Sequence, residues 1–528
     1  MPTNSLSPTR ADLLRELQQR VDDRVLEPTN AALLRKLIER ADTDDEAIAV
    51  AALGTTYKRT GFHFDVRLER LTNDIRYLRR NPALSFTTSP NALTHRLIIG
   101  DNYEALQNLL IQYRGQVDVI YIDPPYGKDR MGEFAHTNYE NALTRDNLLS
   151  MLYPRLQLAK QLLSGKGILL CSIDDRNHAY VKGMMDDIFR EFGFVTSFVW
   201  QKKKGGGQNK FVYEGHEYIL CYLKNKSIIK KLLVTDSSEI SEKNIVKKNG
   251  HYYRVNDDFI RVVYGKYESG TERRCHYEDI LEIKGKEKWD EVQDKLKKGD
   301  FILRPSKSDA TKHYVCRLED ITEGKKKVVY YIISGIRTED GTNEVNSIGL
   351  DFDSPKPSEL LKILLNLTQN KQALILDFFA GSGTTGHAVL ELNRKDGGQR
   401  KFILCQLNEK TDTTPNGIAY DVTTKRLKRI MTGKYYDGTA DFPWAKTNEP
   451  YGDNLEVTEI DRVFNAEATT GKTPFDVIDE TLYGQQPFTT MREKIEWVCQ
   501  HFQHAQKAVE NDSDWEKRKR DLDHATRS

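Results

Sequence analysis

Apolar residues in this chain follow two rhythms, one with a period near 3.6 and one of short unbroken runs, and the change between them divides the sequence. From about residue 10 to 45 the spacing is helical: Leu13, Leu14, Leu17 and Val21, then Leu33, Leu34, Leu37 and Ile38 behind a cap at Asn30. Two amphipathic helices are predicted, a packing or docking module. From His95 the pattern becomes strands alternating with helices. Leu97-Ile98-Ile99-Gly100 runs into Asp101-Asn102 and a helix through Leu106, Leu109 and Leu110. The run Val119-Ile120-Tyr121-Ile122 lacks alternation and predicts a strand buried on both faces. A polar loop (128–145), a helix through Leu148, Leu152, Leu156 and Leu162, a strand at 167–173, a helix holding Val181, Met184 and Ile188, and strands at 195–200 and 218–223 follow.

Residues 225–350 lose this alternation; short strand-like pieces at 252–255, 301–303 and 328–333 predict a separate inserted domain, without a long helix. The pattern returns at Leu360 with a helix through Leu361, Leu364 and Leu367, a strand at 373–379, a glycine turn, a helix with Ala388, Val389 and Leu392, and a strand at 401–405. The expected organisation is an N-terminal helical segment (1–94), an α/β core in two parts (95–224 and 351–435) around the 225–350 insert, and a C-terminal mixed domain (436–528).

Composition narrows the class. At 528 residues the chain exceeds a single core, and 30% charged residues with a mean hydropathy of −0.63 predict a soluble protein. No run of about 18 apolar residues occurs, and Met1-Pro2-Thr3-Asn4-Ser5-Leu6 lacks the apolar core of a signal peptide, so a cytoplasmic location without a membrane is expected. The six cysteines are scattered with no CxxC pair, which argues against a zinc ribbon or disulfide framework, and no metal is expected. Net charge is +1, so nucleic-acid binding must rest on local patches. One lies between the strands at 195–200 and 218–223: Lys202, Lys203, Lys204 and Lys210 around Gly205-Gly206-Gly207 suit a loop closing over a phosphate backbone, and equally a solvated hairpin tip.

In a sheet of this pattern ligands sit at the carboxyl ends of the strands, and polar clusters fall there: Asp101-Asn102, Asp123-Pro124-Pro125-Tyr126, Ser172 with Asp174, Gly381-Ser382-Gly383, and Gln406 to Glu409. Two prolines after Asp123 fix the backbone, so its carboxylate and the Pro124 carbonyl become rigid acceptors beside the Tyr126 ring. They suit a planar amine such as the exocyclic amino group of a nucleobase, although an ordinary proline turn would use the same residues. Gly381, Gly383 and Gly386 satisfy G-x-G-x-x-G, which admits a dinucleotide fold; His387 and Ala388 stand where a Walker loop needs Lys and Ser or Thr. A second near-match, Ala466 to Thr473, lacks the first glycine and a preceding strand.

Asp377-Phe378-Phe379-Ala380-Gly381-Ser382-Gly383-Thr384-Thr385 resembles the S-adenosylmethionine loop of DNA amino-methyltransferases, and Asp123-Pro124-Pro125-Tyr126 their catalytic motif, in the order of the β class. Tyr153-Pro154-Arg155-Leu156, Ser172-Ile173-Asp174-Asp175, Trp200-Gln201-Lys202-Lys203-Lys204 and His216-Glu217-Tyr218-Ile219-Leu220 are similar to the modification subunit of type III restriction systems. The resemblance implies a Rossmann-like α/β methyltransferase sheet with an inserted target-recognition domain. It also implies adenine-specific methylation of double-stranded DNA, a homodimer and a separate ATP-dependent restriction subunit; cytosine methylation at the 4-amino group, or a non-catalytic DNA-recognition subunit, are the alternatives. Catalysis falls to Asp123, Pro124, Pro125 and Tyr126. S-Adenosyl-L-methionine falls to Asp101, Asn102, Lys356, Pro357, Asp377, Phe379, Ala380, Gly381, Ser382, Gly383, Thr384 and Gln406, and DNA to Lys202, Lys203, Lys204 and Lys210. Gly127 stands where family members often carry Asn, and Gln406 where an acid commonly holds the ribose.

Overall fold

The computed structural model describes residues 8–22, 26, 28–53, 74–126, 144–190, 193–203, 215–236, 245–248, 251–256, 276–306, 309–320, 325–464 and 473–502. It divides into two compact units: Met1–Thr72 with Pro124–Leu158 and Ile173–Ile188, and Asn73–Asp123 with Ala159–Ser172 and Phe189–Ser528. The first unit carries helices α1 (Pro8–Asp22), α2 (Pro28–Arg40) and α3 (Asp44–Leu53). They bury Leu17, Ala31, Ile38, Ala41, Ala47 and Ala51 together. The sequence reading expected two helices and missed α3, whose buried face is alanine rather than a stripe of large residues. Its start was nonetheless written in the chain: the Thr43 hydroxyl accepts the Glu46 N–H at 3.1 Å, and Asp44, Asp45 and Glu46 oppose the positive helix end.

In chain order the following elements include β1 (Asp74–Arg80), β2 (Thr94–Ile99), α4 (Asn102–Tyr113), β3 (Val117–Ile122), α5 (Thr144–Leu162), β4 (Leu163–Ile173), α6 (Asp175–Phe189), β5 (Phe194–Gln201), β6 (His216–Leu223), β7 (Leu233–Asp236), β8 (Ile245–Lys248) and β9 (His251–Asn256). Then come α7 (Ile280–Lys298), β10 (Phe301–Pro305), β11 (His313–Asp320), β12 (Lys325–Val328), β13 (Ile332–Ile333), α8 (Thr338–Ser347), α9 (Ser358–Leu365), β14 (Leu374–Asp377), α10 (Thr384–Asp396), β15 (Lys401–Gln406), α11 (Thr424–Thr432) and β16 (Asn454–Phe464). No described helix is long and apolar enough to cross a membrane.

The second unit is built on a ten-stranded sheet of order β1-β16-β2-β15-β14-β3-β4-β6-β5-β13. From β16 to β4 the neighbours are parallel, and Val119, Ile120, Tyr121 and Ile122 of β3 are all buried, as a strand covered on both faces requires. Strand order reverses between β3 and β14, which pair at Ile120 and Leu376: from β3 the chain proceeds to β4, from β14 to β15 on the opposite side. Such a reversal opens a crevice at the strands' carboxyl ends, where α/β sheets take their ligands. This is the parallel α/β sheet that the alternation predicted, in the Rossmann-like form that the resemblance implied.

Three departures from the expected organisation have physical causes. β1 and β16, expected in flanking segments, enter the sheet; their charged residues interrupt the apolar pattern of a strand and form cross-strand pairs, Arg79 with Glu459 at 2.6 Å and with Asp461 at 2.7 Å. In the insert a helix was not expected, yet α7 exists. Its few inward residues, Ile280 and Val292 with Trp289 and Leu296 half-covered, are masked by charge, and pairs such as Lys295 with Glu291 at 2.6 Å line its face. The compact part of the insert is α7 with the four-stranded sheet β10-β11-β9-β8. Beyond it, β13 pairs with β5, and Val345 and Ile348 join the core of the main sheet.

Candidate active site

Asp123 is the first residue after β3, at the reversal point. Its Oδ2 accepts from Lys356 Nζ at 2.7 Å, and the same ammonium lies 3.3 Å from Glu217 Oε2. Lys202 Nζ donates to Glu217 Oε1 at 2.8 Å. Two carboxylates and two ammonium groups thus alternate in a row. Burial would lower the Lys356 pKa, but Asp123 and Glu217 overcome it and hold the pKa above the ordinary lysine value. Burial would likewise raise Glu217, and Lys356 and Lys202 bring it below the usual carboxylate range.

Pro124 is buried and Pro125 and Tyr126 half-buried in the first unit. There Asn177 Nδ2 donates to the Tyr126 carbonyl at 3.0 Å and to Asp174 Oδ1 at 2.7 Å, so the Asp174 that ends the β4 motif steadies the proline turn through Asn177.

The glycine turn follows β14. Asp377 closes that strand, fully covered, with Oδ1 accepting the Phe379 N–H at 3.0 Å and Oδ2 the Thr385 hydroxyl at 2.5 Å. Burial outweighs both hydrogen bonds, with Asp123 adding to the rise, and pushes its pKa up to about 7. Gly381 at φ +52° and Gly383 at φ +81° take backbone that L residues avoid. Gly383 starts α10 with no side-chain cap. Ala380 N–H donates to the Cys405 carbonyl at 3.1 Å, and half-buried Phe379 lies against Phe378 with ring centroids 5.3 Å apart. The Gly381 N–H donates to Gln406 Oε1 at 2.7 Å and its carbonyl accepts from the Thr423 hydroxyl at 2.6 Å. Asp101 caps α4 through the Tyr103 N–H at 2.7 Å, and Asn102 Nδ2 donates to the Phe378 carbonyl at 2.8 Å, tying that helix start to the end of β14.

Behind the turn lies a polar cluster that sequence reasoning missed. Arg426 of α11 donates to Ser382 Oγ at 3.0 Å and Thr384 Oγ1 at 2.9 Å and pairs with Glu344 of α8. Glu344 also lies 2.6 Å from His387 Nδ1 and accepts the Ser358 N–H at 3.0 Å. Arg426 and His387 hold the Glu344 pKa well below the carboxylate range against the opposing effect of burial.

The structure brings Asp123, Lys356 and the residues of the glycine turn to neighbouring strand ends. Pro357 precedes α9 directly. Of the lysines expected on DNA, Lys202 is bound to Glu217 and Lys203 is exposed, while Lys204 and Lys210, with Gly127, fall outside the described residues. Among the described residues no group of three or more His, Cys, Asp or Glu side chains could hold a metal.

A family model described as DNA methylase matches residues 117–413, from β3 past β15, and a model of an uncharacterised conserved protein matches residues 15–119. The chain is 31% identical over 400 residues to the type III restriction-modification enzyme StyLTI Mod subunit of Salmonella typhimurium, covering 65% of this chain and 58% of that protein. It is 30% identical over 389 residues to the type II methyltransferase M.KpnI of Klebsiella pneumoniae, covering 66% and 89% respectively. The solved structure of the M1.HpyAVI complex with SAM overlaps 63% of this chain and 98% of its own at 16% identity, with a TM-score of 0.31. The chain spans about three fifths of the length of the type III Mod subunits it matches. With more than half of its residues inside the family model, the chain belongs to the DNA methylase family.

Proposed function

We propose that this protein transfers the methyl group of S-adenosyl-L-methionine to the 6-amino group of a flipped-out adenine in double-stranded DNA. In this proposal it is the cytoplasmic modification subunit of a type III-like restriction-modification system, a homodimer that works beside a separate ATP-dependent restriction subunit. The carrying observation is Asp123, a carboxylate placed at the reversal point of the sheet, beside β14 and its glycine turn, with a largely covered ammonium on one oxygen. The names of the StyLTI Mod subunit and M.KpnI support the same class.

An exocyclic amine is a poor nucleophile because its lone pair is delocalised into the ring. Acceptors for its hydrogens draw it towards tetrahedral geometry, and Asp123 and the Pro124 carbonyl are assigned that task, Asp123 or water then taking up the proton. Flipping the base costs a few kcal/mol, which stacking on Tyr126 offsets in part. The bound cofactor supplies a methyl group already activated on a sulfonium. The residues at the strand ends fit such a group: a helix start capped by no side chain suits a carboxylate, and the half-buried Phe379 ring suits an adenine. Asp101, Asn102, Pro357 and the turn from Asp377 to Thr384 would hold it, with Gln406 bracing the turn through Gly381, while Lys356, expected on the cofactor, is engaged by Asp123 instead.

The test is methyl transfer from labelled cofactor to unmethylated duplex DNA without ATP, with nucleoside mass spectrometry of the product. Wild type should yield 6-methyladenine. Asp123→Ala should yield none while keeping its thermal unfolding transition, because the change opens no cavity in the core. Turnover near wild type in that variant would sink the mechanism, and 4-methylcytosine alone would change the target base.

A further inference from the structure

We infer that Lys356 is the positioning residue of Asp123, and that Glu217, braced by Lys202, shares the Lys356 ammonium and so regulates its grip. The inference rests on the amino-methyltransferase reading and concerns how the acid of that site is controlled.

The four groups come from four places in the second unit: Asp123 after β3, Glu217 on β6, Lys202 after β5 and Lys356 ahead of α9. Each is anchored separately. Lys356 lies between Pro355 and Pro357, whose fixed φ leaves its backbone little freedom, and α8 presses on that segment so closely that a Cβ on Gly341 would lie 2.3 Å from the Pro355 carbonyl oxygen. The Lys202 N–H donates to the Gly215 carbonyl at 2.8 Å, which holds the start of the loop against the foot of β6. Lys356 makes its hydrogen bond to Asp123 at 2.7 Å and stands off Glu217 Oε2 at 3.3 Å, an ion-pair distance at which that oxygen makes no hydrogen bond. One ammonium is therefore committed to Asp123 and pulled by Glu217.

Two negative and two positive charges leave the row neutral, so removing either partner changes its charge in a known direction. Among the described residues, Asp377 at the end of β14, Tyr121 on β3 and Cys171 on β4 also act on it. Burial pushes the Tyr121 hydroxyl and the Cys171 thiol upward, so neither carries charge at neutral pH. Gripped at Oδ2 by the Lys356 ammonium at 2.7 Å, Asp123 cannot rotate freely. That suits a residue that accepts hydrogen bonds first and a proton only afterwards.

The experiment is the pH profile of kcat for the full chain on duplex DNA, with cofactor affinity measured by calorimetry. Lys356→Met leaves the row at −1, and the acid limb of kcat should move up by about one to three pH units with cofactor Kd unchanged. Lys356→Arg should return the limb towards wild type. Glu217→Gln leaves the row at +1 and should move the limb down, which tests the inference even if Lys356→Met fails to fold. A limb that stays in place in Lys356→Met and Glu217→Gln, or a loss confined to cofactor affinity, overturns the inference; absence of methyl transfer in wild type would instead defeat the functional reading.

Discussion

Asp377 carries a carboxyl whose folded pKa, about 7, lies above the 3.8 of the free group because burial penalises its charge. A raised carboxyl binds its proton more tightly folded than unfolded, so its contribution to stability is present at low pH and lost between about pH 4 and pH 7. Asparagine can accept the Phe379 N–H and donate to Thr385 Oγ1 without ever ionising. Asp377→Asn should therefore gain on wild type as pH rises, by on the order of a few kcal/mol between pH 4.5 and pH 8. Chemical denaturation at the two pH values measures it, and a difference that does not grow with pH would refute the assignment. At this scale the sequence was legible where the backbone betrayed the chemistry. The prolines after Asp123 and the glycines after Asp377 mark fixed geometry. The chemistry of Glu217 was not legible, since it entered only within the motif His216-Glu217-Tyr218-Ile219-Leu220, and its pairing with Lys202, one of the lysines expected on DNA, depends on contacts across the sheet that sequence order does not show.

Glycines show how element geometry reaches the site. At Gly383 an added Cβ would meet Thr423 Cγ2 at 3.4 Å, an ordinary contact, so a side chain has room; the penalty lies in φ +81°, which a β-branched residue avoids. Gly383→Val should abolish cofactor binding in calorimetry by unwinding the turn, and an unchanged Kd would make the turn merely structural. Gly341 is the reverse case, with ordinary helical backbone but no room, since the obstruction is the Pro355 main chain. Gly341→Ala should cost about 1–3 kcal/mol as overpacking and displace Lys356, lowering kcat more than cofactor affinity. A variant with wild-type melting and turnover would show that this close approach is dispensable. The turn itself was readable as G-x-G-x-x-G. Its support was not, because Glu344, His387 and Arg426 stand on three helices brought together only by the sheet.

On the scale of the whole chain, the strand-helix alternation announced the central sheet, and where it is lost the chain builds α7 and the separate four-stranded sheet β10-β11-β9-β8. The edges of that insert were less legible, because β7, β12 and β13 are too short to carry a hydrophobic period. They nevertheless define where it can be removed. β7 and β12 form an antiparallel ladder in which Leu233 pairs with Val328 and Asp236 with Lys325, so the stretch between them begins and ends at adjacent residues. Facing residues of such a pair lie about 5 Å apart, a span that a two-residue Asn-Gly turn closes. Replacing 237–324 with that turn removes α7 and the four-stranded sheet with their own apolar clusters, and leaves the residues of the main core untouched. If the insert reads DNA, the shortened protein should unfold cooperatively and bind S-adenosyl-L-methionine with wild-type affinity. Its affinity for a methylatable duplex should fall towards the non-specific level, roughly a thousandfold or more. Calorimetry with the cofactor and fluorescence anisotropy with labelled DNA separate the two. Cofactor binding with undiminished DNA affinity would place sequence recognition elsewhere in the chain, whereas loss of cofactor binding would mean that the insert supports the sheet rather than standing apart from it.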